Sequence, residues 1–216
     1  MKHIHLLVLS GFILFFTSCI NDKDIPVYEE VEGVVLENGQ AVSNADIHIR
    51  NHFNPGGFSQ ENAAEEYTIN FTIQSEAVYT ISLFRHGADS IFYTFFDDTL
   101  APGNQEIIIP DSLLTNGILG YEIETNQDLV TRNLFLVNKP DSLLPGSFPF
   151  TTTNALGEFT LNQNYLALGL GFRSIDGFFE VTDSLQIYVV QDSSIQAKRT
   201  VEVKPNKSNF FEIVLD

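Results

Sequence analysis

The stretch LAPGNQEIIIP, at residues 100–110, and the stretch LLTNGILGYEI, at residues 113–123, each join a turn to a run of apolar and β-branched residues. Pro102-Gly103 and Asn116-Gly117 supply the turns, because Pro fixes φ and both Gly and Asn accept positive φ. Both stretches lie inside a longer series of short alternating segments. The strands predicted in this series are residues 67–73, 78–84, 91–96, 105–109, 120–124 and 131–137. Short strands at this spacing predict an antiparallel sandwich with an immunoglobulin-like shape.

A second strand-rich pattern flanks this series on both sides. Residues 31–49 show strand patterning around Asn38-Gly39, the dipeptide most typical of a two-residue hairpin. On the other side, a Thr-rich segment at residues 151–153 leads through a turn at Gly157 to Phe159. Further strands are predicted at residues 165–172, 177–179, 185–190, 199–203 and 210–215. The predicted fold class is therefore all-β, with two antiparallel β-sandwich modules.

The first flank resembles the opening of carboxypeptidase regulatory-like domains, which have a transthyretin-like β-sandwich fold. The resemblance lies in Gly33-Val34-Val35, the turn at Asn38-Gly39, and Ala45-Asp46-Ile47-His48-Ile49. The Thr-rich strand, Gly turn and aromatic residue that come next in that family are found here only after the intervening series. The resemblance thus implies one sandwich, built from residues 31–50 and 150–216, that is split by an insertion at residues 51–149. In that family the domain is an accessory sandwich, so the resemblance implies no peptidase activity.

The inserted block resembles the Ig-like domain of flagellar hook-capping proteins and the related C-terminal sorting domain of the type IX secretion system. The matching positions, in chain order, are Asn51, Phe53, Asn54 and Pro55, then residues 78–84 with Gly87, Leu100 and Gly103, Leu114, Gly117 and Ile118, Tyr121, Thr131 and Lys139. Sorting domains lie at the extreme C-terminus, whereas this block is followed by further strands. The resemblance therefore implies an Ig-like fold and favours a structural or binding module over a sorting signal.

The N-terminus reads as an export signal. A short basic start precedes an apolar run at residues 6–16, which is long enough for a signal-peptide core and too short to span a bilayer stably. The run ends in Phe16-Thr17-Ser18-Cys19, which resembles the lipobox of bacterial lipoproteins. That resemblance implies a signal peptide at residues 1–18, cleavage before Cys19, and lipidation of Cys19, which would bind the chain firmly to a membrane. The polar, acidic segment at residues 19–30 is predicted to be a tether, similar to that of Bacteroidetes-type surface lipoproteins.

Composition narrows the possible partners. Of the 216 residues, 44% are hydrophobic and 18% are charged, a balance that favours a packed core over general disorder. The formal net charge of −17 repels nucleic acid and anionic lipid headgroups. Cys19 is the single cysteine, so the chain can form no internal disulfide.

No residue pattern points to catalysis or to a cofactor. The sequence contains no nucleophile elbow, zinc-protease motif, phosphate loop or dinucleotide-binding fingerprint. His48 and His52 are four apart, which in a strand puts both on one face, but no third ligand lies at metal spacing, and His86 lies far away along the chain. We therefore predict no metal site, no catalytic residue and no cofactor.

Two acidic pairs and an aromatic cluster are alternative candidate sites. The pairs Asp97-Asp98 and Glu65-Glu66 are typical of solvated turns, and the Asp residues at 176, 183 and 192 lack EF-hand spacing. The aromatic cluster consists of Phe92, Tyr93, Phe95 and Phe96. Alternation puts Phe92 and Phe96 on one face and Tyr93 and Phe95 on the other, and we expect core packing rather than a glycan or protein contact.

These inferences lead to one main hypothesis. We expect a non-enzymatic, membrane-anchored envelope lipoprotein that acts as a structural or protein-binding module. The alternative is a glycan- or peptide-binding accessory lipoprotein of the cell surface, with its ligand groove between the two modules. The expected location is the outer membrane, anchored by lipid and facing the cell surface, with a periplasm-facing location as the alternative. The partner, protein or glycan, is not specified by the sequence.

Overall fold

A computed structural model describes residues 26–54, 66–87, 91, 93–125, 129–174 and 177–215. The chain is all-β, as predicted, with a β-sandwich character. The strands are β1 (Val31–Glu37), β2 (Gln40–Ala41), β3 (Asp46–Asn54), β4 (Glu66–Ile73), β5 (Ala77–Arg85), β6 (Tyr93–Leu100), β7 (Gly103–Pro110), β8 (Gly117–Thr125), β9 (Leu129–Val137), β10 (Thr151–Thr152), β11 (Glu158–Leu161), β12 (Gly171–Ser174), β13 (Gly177–Gln191), β14 (Ser194–Glu202) and β15 (Asn209–Leu215). A short helix, α1 (Gln163–Leu166), lies between β11 and β12.

The outer sandwich is formed by β1–β3 together with β10–β15. In its first sheet, β1 lies between β11 and β15 and also pairs with β2. In its second sheet the order is β10-β3-β13-β12, and β14 pairs with β13. Residues 31–50 therefore pair with strands that follow residue 150 in both sheets. The β1–β15 pair is parallel, an exception to the otherwise antiparallel pairing.

The inserted sandwich is formed by β4–β9, which pair only with one another among the described strands. One sheet is the pair β4–β7, and the other has the order β6-β5-β8-β9. The Asn-Gly and Pro-Gly turns follow the sequence expectation. Asn38 and Gly39 both have positive φ between β1 and β2, and Gly103 and Gly117 have positive φ where β7 and β8 begin.

Three predicted strands differ from those observed. Residues 165–172 were expected to be a strand, but Tyr165 and Leu166 end helix α1, and β12 begins only at Gly171. The Asn162 side chain caps the helix by accepting from the Asn164 backbone N–H, and Ala167 ends it in the left-handed conformation with φ 55°. The segments predicted at 177–179 and 185–190 are parts of one long strand, β13.

Each sandwich has its own hydrophobic core. Ile47, Ile49 and Ile187 lie fully buried in the outer core, and Ile81 and Ile123 lie fully buried in the inserted core. Burial of such side chains is the main driving force for the folding of both sandwiches. The described residues contain no helix with the length and apolar character needed to cross a membrane.

Glycine makes room for a phenylalanine in three of the sheets. A Cβ added to Gly120 would lie 2.1 Å from Cζ of the Phe84 ring on the neighbouring strand. The same relation holds for Gly33 with Phe159, at 2.4 Å, and for Gly171 with Phe178, at 2.2 Å. Each ring lies directly over its glycine, and this close packing explains why a glycine lies at position 33 of β1, beside Phe159.

Candidate functional site: a buried polar junction between the sandwiches

Polar side chains from β3 begin the site. Ile47 and Ile49 enter the outer core, so alternation along the strand turns His48 and Arg50 to the opposite face. Tyr188 on β13 is the cross-strand partner of His48, and both side chains are fully buried. We name as the junction the residues His48, Arg50, Arg85, Asp111, Lys139, Asp141 and Tyr188, which lie where the inserted sandwich meets the outer one.

Lys139 follows β9 and is the most deeply buried cation of the junction, with a side chain that is 1% exposed. Its Nζ lies 3.0 Å from Asp111 Oδ1 and donates to the Asp111 carbonyl at 2.7 Å. Its backbone N–H donates to Asn116 Oδ1 at 2.7 Å. Burial lowers the pKa of Lys139, while the hydrogen bond and negative charge of Asp111 act against that shift. The ion pair thus links the end of β9 to the turn that follows β7.

The Asp141 carboxylate is contacted by donor side chains of the outer sandwich. Its carboxylate lies 2.9 Å from Arg50 Nη2 and 2.8 Å from Lys198 Nζ, and the Tyr188 hydroxyl donates to it at 3.0 Å. Burial acts to raise the pKa of Asp141, but the hydrogen bonds from Lys198 and Tyr188 and the charge of Arg50 outweigh it and leave the pKa lowered. Arg50 also donates to the Lys139 carbonyl. Asp141 is therefore ionised and holds the segment that follows β9 against β3 and β13.

Arg85 makes the second connection between the units. It ends β5 of the inserted sandwich and donates to the carbonyls of Phe150, at 2.8 Å, and Pro149, at 3.2 Å. Its guanidinium lies 4.6 Å from the Phe150 ring centroid and 5.8 Å from that of Tyr165. Burial lowers the pKa of Arg85 and the charge of Tyr165 acts to raise it. Stacking and two carbonyl hydrogen bonds together help to hold this cation at the boundary.

The apolar packing also crosses the boundary. Ile118 of β8 is buried within the outer core, and Leu136 of β9 packs against that core. Gly87, after β5, lies so close to the Asn164 backbone that a Cβ would approach the Asn164 oxygen to 2.3 Å. The two sandwiches therefore share buried surface as well as polar contacts.

His48 differs from the other junction residues because neither ring nitrogen has a hydrogen-bond partner among the described residues. Desolvation, with a smaller contribution from the charge of Lys139, lowers the pKa of His48 to about 4. The imidazole is therefore neutral at pH 7. A neutral ring beside a buried ammonium can take part in packing, but the adjacent positive charge disfavours a bound cation.

His48 and His52, which lie four apart in the sequence, are both in β3. Among the described residues, no group of three His, Cys, Asp or Glu side chains could hold a metal ion. His48 is fully buried and His52 is half-buried on the same strand, opposite the irregular part of the β3–β13 pairing. Cys19, the predicted lipidation site, lies outside the described residues.

Asp97 and Asp98 lie within β6 and not in a turn, and part of the aromatic cluster packs against the inserted core. Asp97 accepts a hydrogen bond from the Thr80 hydroxyl at 3.2 Å, and Asp98 accepts from the Thr99 backbone at 2.7 Å. Asp183 lies in β13 and Asp192 lies in the β13–β14 turn with φ 50°, whereas Asp176 and Glu65 are outside the described residues. Phe95 and Phe96 both pack against the inserted core, as expected for core residues, while Tyr93 is 44% exposed.

The opposite-face prediction for Phe95 and Phe96 is wrong because the β5–β6 ladder contains a bulge. Ile81 pairs with Phe96 and Ser82 pairs with Thr94, which leaves Phe95 without a partner. Such an extra residue breaks the alternation, so two consecutive rings can reach one core. Phe92 lies outside the described residues.

The sequence does contain a signal for the junction that composition and strand patterning miss. The pentapeptide PDSLL occurs twice, at residues 110–114 and 140–144. Each copy forms a 3₁₀ turn, Asp111–Leu113 or Asp141–Leu143, after an extended Pro, and each buries its last Leu. Asp111 then receives Lys139, and Asp141 receives Arg50 and Lys198. A repeated Asp in a repeated turn marks both carboxylates of the junction.

Searches of protein families, of curated proteins and of solved structures found no match to this chain. The class of protein is therefore defined by the fold and the junction alone, as an all-β protein in which two sets of packed sheets meet at a buried polar junction.

Proposed function

We propose that this protein is a non-enzymatic, membrane-anchored envelope lipoprotein that acts as a structural or protein-binding module. The junction is the observation that supports this proposal best. A module that presents a surface at a fixed position needs its parts held at one geometry. The ion pairs of Asp141 with Arg50 and Lys198, the stacked Arg85 and the shared apolar packing supply that geometry.

The junction also bears on the alternative ligand site. The accessory-lipoprotein alternative expects a ligand groove between the modules. In the described chain that position is taken by packed side chains, with His48, Lys139 and Tyr188 all buried there. The sandwich boundary thus favours a holding role, and a ligand surface is better sought on the outside of the sheets.

Anchoring is tested by labelling intact cells with [³H]palmitate and comparing the wild type with Cys19→Ala. We expect label on the wild-type chain and none on the variant, because Cys19 is the only thiol available for acylation. Protease shaving of the same cells distinguishes a surface location, where the chain is removed, from a periplasm-facing one, where it is protected. A wild-type chain without label would contradict the anchored module.

A further inference from the structure

The solvent-facing side of the β11-β1-β15 sheet carries an unusual set of side chains. Phe210 is 59% exposed and Val214 is 55% exposed, at positions of β15 that point away from the core. Val34 and Leu36 on β1 also point outward and are half-buried. A half-buried sheet normally turns polar residues to solvent, so four apolar residues on this face depart from the expected alternation.

The strand register makes these four residues contiguous. Leu36 is the direct cross-strand partner of Val214. Val34 is the partner of Glu212, which lies between Phe210 and Val214 on β15, so Val34 is diagonal to both. The result is one apolar patch across two strands rather than isolated exposed residues.

Three exposed glutamates lie along this patch, and Arg199 of β14, which donates to the Glu212 carbonyl, lies at its β15 side. Glu32 is flanked by Thr160 on one side and Phe210 on the other, and Val34 is flanked by Glu158 and Glu212. We name the four apolar residues and these three glutamates the acidic-rimmed patch. Glu158 accepts a hydrogen bond from Asn154 at 2.9 Å. Within the described part of the chain, none of the three carboxylates forms an ion pair.

A surface cavity adjoins the patch. It has a volume of about 410 Å³ and lies between Phe210 and the polar side chains of Glu32, Asn154, Glu158 and Thr160. An aromatic ring at the edge of a depression with two carboxylates provides both a stacking surface and counter-charges for a cationic side chain.

We propose that the acidic-rimmed patch binds a basic, partly apolar segment of a protein partner. Its Lys or Arg side chains would pair with Glu32, Glu158 and Glu212 and stack on Phe210, while its apolar side chains would cover Val34 and Val214. Charge complementarity of this kind gives specificity and faster association. This assignment rests on the proposed function and adds the binding surface and the chemistry of the partner.

Charge argues against two other occupants. A second copy of this chain, docked through the same face, would bring its three glutamates against the first set, and each copy carries a net charge of −17. An anionic membrane surface would meet the same repulsion. A basic, partly apolar protein segment complements both the apolar residues and the glutamates of the acidic-rimmed patch.

The first test uses a fluorescent peptide of alternating Lys and Val as the probe, with the full chain and fluorescence anisotropy as the readout. The patch variant combines Glu32→Gln, Glu158→Gln and Glu212→Gln. The matched control combines Glu76→Gln, Glu106→Gln and Glu124→Gln, three exposed glutamates of the inserted sandwich, and changes the net charge equally. We expect about tenfold weaker binding for the patch variant, the sum of three exposed ion pairs, and less than about twofold for the control. Equal losses in both would overturn the proposal, because binding would then follow net charge alone.

The second test places a photocrosslinking amino acid at Phe210 in the full chain in cells, with Leu134 on the exposed part of β9 as the control position. We expect mass spectrometry of the Phe210 product to identify a Lys/Arg-rich protein segment that the Leu134 position does not capture. A product with a second copy, a lipid or a glycan would overturn the proposal. Partner capture at Leu134 but not at Phe210 would overturn this surface and leave the protein-binding function standing. Capture at neither position would count against both.

Discussion

His48 shows how one side chain sets a pH dependence. Its pKa is lowered to about 4 in the folded chain by burial and by Lys139, against about 6.5 when unfolded. Between these values the unfolded chain binds more protons, so the free energy of unfolding falls as pH drops from 6.5 toward 4. The full contribution is about 3 kcal/mol. Urea unfolding at pH 7 and pH 4.5 should show most of this loss in the wild type and much less of it in His48→Gln.

His52→Gln serves as the control for this prediction, because it removes a histidine from the same strand and leaves His48 in place. We expect it to keep the pH dependence of the wild type. An unchanged difference between pH 7 and pH 4.5 in His48→Gln would show that another group carries the effect. Protonated His48 would be buried and repelled by the charge of Lys139, which is why acid should act at the junction first.

At the scale of secondary-structure elements, the two PDSLL turns supply both carboxylates of the junction, Asp111 and Asp141. Lys139 is almost fully buried, whereas the Asp111 side chain is 27% exposed. Removing the carboxylate by Asp111→Ala leaves a buried ammonium without its counter-charge, and we expect a loss of about 3 kcal/mol in the free energy of unfolding. The double variant Asp111→Ala/Lys139→Met should recover most of that loss, because it removes the buried charge as well.

A more exposed pair provides the comparison. Glu122 lies 3.8 Å from Arg132 on neighbouring strands, and the Arg132 side chain is 51% exposed. Glu122→Ala should therefore cost at most about 1 kcal/mol in urea unfolding. An equal cost for Asp111→Ala and Glu122→Ala would contradict the importance assigned to the buried pair.

Most strands could be predicted from the sequence, whereas one helix, one bulge and the junction could not. Alternation and Asn-Gly or Pro-Gly turns predicted most strands because both signals are local. Helix α1 was missed because a helix of four residues is too short for its period to show. The β6 bulge was missed because it depends on the partner strand β5. The junction was missed because its residues come from five separate segments, and only the repeated PDSLL indicated it.

For the whole molecule, the charge is unevenly divided. Residues 51–149 contain 13 Asp and Glu against 3 Lys and Arg, and two of those three cations, Arg85 and Lys139, take part in the junction. The charged side chains described as exposed on the inserted sandwich are mostly acidic, while Arg85 helps to hold it against the outer sandwich. Repulsion between acidic surfaces opposes aggregation through the inserted sandwich. The buried contacts oppose separation of this sandwich from the outer one.

The last prediction concerns the relative motion of the two sandwiches. Spin labels on cysteines placed at Asn104 and Lys207, both exposed and one on each sandwich, in a Cys19→Ser background, report the distance between the units. Because Ile118 and Leu136 pack in the outer core and Arg85 and Lys139 are held at the boundary, we expect one narrow distance distribution by pulsed electron resonance. Combining Arg85→Ala with Asp141→Ala, which removes contacts from both sides of the boundary, should broaden it while circular dichroism stays that of a β-protein. A broad distribution in the parent chain would show that the junction does not fix the geometry on which the proposed holding role depends.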